Sequence, residues 1–111
     1  MHEVAQELQE ILEDGAAIFF TSDDDQGVAV WLGDHDEIRI VFWSYVDDEG
    51  VWTRNPIGLG EIVIPIEEED PYTSALSEIL EIVPDFNLDD IEELDPECLG
   101  QTDLEEDCFL D

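Results

Sequence analysis

The stretch IRIVFWSYV, residues 38 to 46, decides the architecture of this chain. Read with the two-residue period of a strand, it puts Ile38, Ile40, Phe42 and Ser44 on one face and Arg39, Val41, Trp43 and Tyr45 on the other. Both faces are substantially apolar, so the strand has to be covered on both sides. That predicts a central position in a sheet with material above and below it.

Working outward, the runs AAIFFT at 16 to 21 and VAVWL at 28 to 32 are also β-branched and aromatic. The intervening SDDDQG and GDHDE are turn chemistry. On the other side, DDEG at 47 to 50 leads into VWTR, and EIVIPI at 61 to 66 follows NPIGLG. These spacings predict an antiparallel meander of four to five strands. Before it, residues 2 to 13 carry Val4, Leu8, Ile11 and Leu12 at helical spacing, with Glu3, Gln6, Glu7, Glu10 and Glu13 around the rest. Gly15 supplies a C-terminal stop. After the meander, Asp70 and Pro71 read as an N-cap and first helical residue, and Ala75, Leu76, Ile79, Leu80 and Val83 form a second apolar stripe. A third, shorter helix is expected after Asn87, with Leu88, Ile91 and Leu94 at a spacing of three. The class is therefore α+β: a meander flanked by an N-terminal helix and one or two C-terminal helices. Residues 1–94 read as one domain and 95–111 as an acidic extension, packed through Phe109 and Leu110.

Charge is the other dominant feature. The 111 residues hold 33 Asp and Glu against Arg39 and Arg54, with no lysine, giving a formal net charge of -31. Such charge favours disorder where apolar surface is scarce. Here the hydrophobic fraction is 43%, so a folded core is expected. A domain of this length spans about 34 Å, and B-DNA of that length carries about 20 charges. Direct binding to nucleic acid or to anionic membranes is excluded, since both require Lys and Arg clusters. The start MHEVAQELQE has no basic and apolar leader pattern, and no apolar run approaches a membrane span. A soluble, cytoplasmic protein is expected; Cys98 and Cys108 could pair in an oxidising compartment, but without an export signal free thiols are favoured.

No motif points to chemistry. Counting a calcium loop from Asp23 puts Gly27 at position five and Val28 at position six, where an EF-hand needs an acid and a glycine. Two cysteines and two distant histidines do not form a zinc site. The abundance of carboxylates singles out no catalytic pair. His2 lies at a terminus, His35 lies in a turn, and there is no nucleophile elbow, Walker loop or glycine fingerprint. The chain reads as a binding protein, not an enzyme, with no catalytic residues, metal or cofactor.

The candidate binding residues are the acid clusters: Asp23, Asp24 and Asp25; Asp34, Asp36 and Glu37; Asp47, Asp48 and Glu49; and Glu67, Glu68, Glu69 and Asp70. Several fall at hairpin ends or helix starts, so a rigid scaffold lines them up along one or two rims. Carboxylates in rows would satisfy the same Lys and Arg groups that read rows of phosphates. Solubility alone requires a net charge of only about 2 to 8.

In size, lack of lysine and acid runs on a mixed fold, the chain resembles the DNA-mimic proteins of phages and mobile elements, such as anti-restriction and anti-CRISPR proteins and inhibitors of uracil-DNA glycosylase. The resemblance implies stoichiometric inhibition of a basic nucleic-acid-binding protein or complex, for instance a host defence machinery. The stretch EGVWTR, followed by a strand and an amphipathic helix, is also similar to small acidic immunity proteins that neutralise a basic nuclease or deaminase. That alternative implies an exposed aromatic anchor, with Trp31, Trp43 and Trp52 as candidates. A third reading is halophilic adaptation, in which acids are spread over every exposed face.

Overall fold

The computed structural model describes residues 2–22, 25–33, 36–46, 50–54, 61–95, 98, 103–104 and 108–109, with backbone alone at 2, 46, 51, 54 and 103. Helix α1 (His2–Glu13) precedes strands β1 (Ala17–Thr21), β2 (Gln26–Leu32), β3 (Glu37–Val46), β4 (Val51–Arg54) and β5 (Ile62–Pro65). Helix α2 (Pro71–Ile82) and two short strands, β6 (Glu92–Leu94) and β7 (Asp103–Leu104), complete the chain. The sheet runs β6-β1-β2-β3-β4-β7, and β5 also pairs with β3. All pairings are antiparallel.

β3 is central, as its two apolar faces require. β2 pairs with residues 38 to 44 along one of its edges, while β4 pairs with residues 43 to 46 and β5 with residues 37 to 40 on the other. Ile38, Ile40 and Phe42 sit in a core formed with Leu8 and Leu12 of α1 and Leu76 and Ile79 of α2. Val41 and Trp43 sit in a second core on the opposite face, with Phe19, Trp52 and Leu94. Among the described residues no long helix covers that second face. Leu104, Cys108 and Phe109, from the extension, lie against it instead. Phe109 bridges to Leu94 and meets Phe19 edge-on at 5.2 Å, whereas Leu110 lies outside the described residues.

Four local readings need correction. Cys98 and Cys108 are joined in a disulfide, not free. Both pack at the second core, and that burial brings their Cα atoms to 5.9 Å, within bonding geometry. The third helix is one 3-10 turn, Leu88–Asp90, capped by the Asn87 side chain, which accepts from the Asp89 N–H at 3.0 Å. The chain then extends as β6 and pairs with β1, which would otherwise leave an open sheet edge. Leu88 therefore serves the first core and Leu94 the second, a division that one helical stripe could not make. In α1, Ala5 is buried and Val4 is exposed. Asp70 does precede Pro71, but with φ 53° and without a side-chain cap hydrogen bond.

Asp70 shares that conformation with Asp25 (φ 60°) and Asp36 (φ 55°), the last residues of the acid-rich connections β1–β2 and β2–β3. Both hairpins close alike: the Ser22 N–H donates to the Gln26 carbonyl at 2.7 Å, and the Gly33 N–H to the Glu37 carbonyl at 2.8 Å. Glycine usually closes such a three-residue connection. Aspartate tolerates the left-handed region better than most side chains, so acid runs can end there.

Candidate acidic interface

Meander topology sorts the acids by end. The carbonyl of Asp25 accepts from the Tyr45 N–H at 2.9 Å, which fixes the β1–β2 turn beside the end of β3. At the other end of β3, the carbonyl of Asp36 accepts from the Ile66 N–H at 3.1 Å. That bond brings Asp36 and Glu37 alongside the segment Glu67, Glu68, Glu69 and Asp70, whose side chains are all exposed. Eight residues of β3 separate the two rims, about 26 Å at an ordinary strand rise. The structure thus brings two of the proposed clusters together and holds Asp25 apart from them. Asp23, Asp24, Asp34, Asp47, Asp48 and Glu49 lie outside the described residues, as does His35.

Acids are not confined to the rims. Glu3, Glu7, Glu10 and Glu13 are exposed along α1, Glu78 and Glu81 along α2, and Glu92 and Glu93 along β6. The positions on α1 and α2 follow from the helical period and were legible in the sequence, whereas those on β6 were not, because that segment read as a helix. Arg39 is held within the chain. Its Nε and Nη2 donate to Glu37 Oε1 at 2.9 and 2.6 Å, and its Nη1 donates to Glu61 Oε1 at 2.8 Å. The bonds to Glu37 and then Glu61 push the guanidinium pKa up. With two arginines for 33 acids, most carboxylates cannot be neutralised inside the chain. Solvent cations or a partner's basic groups have to screen them.

The tryptophans are not exposed anchors. Trp43 is wholly buried, Trp52 is 9% exposed and Trp31 is half-buried. The exposed aromatic is Tyr45, whose ring lies 5.1 Å from that of Trp52. Two buried polar atoms, Trp43 Nε1 and the Tyr72 hydroxyl, have no hydrogen-bond partner among the described residues. Among the described residues no three His, Cys, Asp or Glu side chains come together to hold a metal ion. Nor, among those residues, is any helix long and apolar enough to cross a membrane. Comparison with protein-family models, with curated proteins and with solved structures finds no match to this chain.

Proposed function

We propose that this protein is a nucleic-acid-mimicking inhibitor: it occupies the basic DNA- or RNA-binding surface of a partner protein or complex, such as a restriction or CRISPR machinery. Linear charge density is the observation that supports this reading. The body is a short rod with principal extents of 42 × 26 × 26 Å. Its net charge of -31, spread over the 42 Å axis, amounts to one charge per about 1.4 Å. B-DNA carries one per about 1.7 Å. A basic groove evolved to follow a duplex would meet comparable charge on a comparable length of this rod, and binding would be fast and salt-sensitive.

One observation favours a second reading, adaptation to a high-salt solvent: the exposed acids occur on α1, α2, β6 and both rims. Charge reversal separates the two. In one variant Glu67, Glu68 and Glu69 become Lys; in another, Glu3, Glu7 and Glu10 do. Each is assayed for capture of proteins from a bacterial or archaeal lysate. The mimic reading expects the rim variant to lose a partner that the α1 variant retains. Equal loss in both variants, with folding that requires molar salt, would favour solvent adaptation and sink the mimic reading.

A further inference from the structure

Within this acidic surface there is an opening lined by aromatic rings. Tyr45 of β3 and Trp52 of β4 are cross-strand partners, their ring centroids 5.1 Å apart and their planes tilted by 56°. Trp52 meets Phe19 edge-on at 5.1 Å, and Phe19 meets Phe109 edge-on at 5.2 Å. The row of rings passes over β2 because Gly27 has no side chain there: a Cβ at that position would run into the Phe19 ring. Beside this row lies a cleft of about 490 Å³, lined by Thr21, Tyr45, Trp52, Glu92, Leu104 and Phe109 together with Gly50. Its size is that of an ordinary small-ligand site.

The lining selects by charge. An anion would face Glu92 and the field of the whole chain, whereas a cation gains from the negative faces of the rings and from the carboxylate. Among cations, a quaternary ammonium has no N–H to offer Glu92, and a lysine ammonium has no plane to stack. A guanidinium has both a flat face and a fork of donors suited to a carboxylate. We propose that this cleft receives an arginine side chain of a protein partner, its plane against the exposed ring of Tyr45, which Trp52 backs, and its N–H groups donating to Glu92. The assignment does not require that partner to bind nucleic acid, so it stands or falls apart from the mimic reading.

The test is a titration of the isotopically labelled protein with N-acetyl-arginine methylamide, followed by amide and indole NMR shifts. Ionic strength is held at about 0.5 M with sodium chloride to screen diffuse attraction. Saturable shifts confined to the surroundings of Tyr45, Trp52 and Glu92 are expected. Tyr45→Ala, at an exposed position, and Glu92→Gln should each weaken binding by about tenfold. Glu78→Gln, the same charge change on α2, should leave it unaltered. The matching blocked lysine and tetramethylammonium should bind several-fold more weakly. The proposal is overturned if shifts spread evenly over the acidic surface, or if blocked lysine matches blocked arginine. Tighter binding of tetramethylammonium, or affinity unchanged in both cleft variants, would overturn it as well.

Discussion

Gly27 is the residue on which the second core most directly turns. Phe19 reaches Trp52 and Phe109 across the space that a Gly27 side chain would fill. Gly27→Ala should therefore cost about 2 kcal/mol, read as a lower denaturant midpoint at fixed salt. Asp25, Asp36 and Asp70 should behave in the opposite sense. Each holds a positive φ that glycine adopts without strain, and each adds to the excess of negative charge. Asp→Gly at any one of them should raise stability by about 0.5 to 1 kcal/mol; lower thermal midpoints in all three variants would refute that view. Tyr72 supplies a pH test. Burial, then the charge of Glu13, push its hydroxyl pKa up from the ordinary value near 10. The unfolded chain therefore releases this proton at lower pH than the folded one. The Tyr72 contribution to stability should be constant below about pH 10 and fall as pH rises above it, since the native state then binds more protons. Tyr72→Phe should abolish that fall. It also removes a buried hydroxyl without a partner among the described residues, so stability at neutral pH should hold or improve.

At the scale of elements, the C-terminal segment acts as the cover of the second sheet face, and its disulfide closes a loop of ten residues' separation. Loop-closure entropy for such a loop is about 2.5 to 3 kcal/mol. Reduction, or Cys98→Ser, should lower stability by roughly that amount and increase the exposure of Trp52, measured by denaturation with fluorescence detection. An unchanged midpoint would mean that the cover holds without the bond. How the sequence foretold these elements is uneven, for physical reasons. β3 was legible because period-two alternation with apolar residues on both faces has few other solutions. α1 and α2 were legible from their apolar stripes, although Ala5 replaced Val4 at the inner position. β6 was not legible: Leu88, Ile91 and Leu94 match a helical spacing, and only the open edge of β1 favours the extended form. Nor did the sequence favour the pairing of Cys98 with Cys108, because what brings the two together is their packing against the second core. Asp25 and Asp36 lie in hairpin connections, while Asp23, Asp24 and Asp34 of the same runs lie outside the described residues; nothing local revealed that β5 would bring Glu67 to Asp70 beside Asp36.

For the whole molecule, a net charge of -31 on a 42 Å rod has to be opposed by ions or by a partner. Raising sodium chloride from about 0.05 to 1 M should raise the denaturation midpoint as the Debye length falls from more than 10 Å to about 3 Å. The sign of that effect follows from self-repulsion alone, so it does not distinguish the proposed functions. The aromatic cleft shows why the site was only partly legible. Acid runs are visible in a sequence, but the approach of Tyr45, Trp52, Phe109 and Glu92 needs β3, β4, β6 and the C-terminal segment in place. The central claim is that the rod competes with nucleic acid for a basic surface. The most direct measurement is capture of lysate proteins on the immobilised chain at low salt, followed by elution with double-stranded DNA or with an uncharged polymer. The account predicts that the duplex releases a basic nucleic-acid-binding protein and that the uncharged polymer does not. A captured partner that remains bound in excess duplex would contradict it.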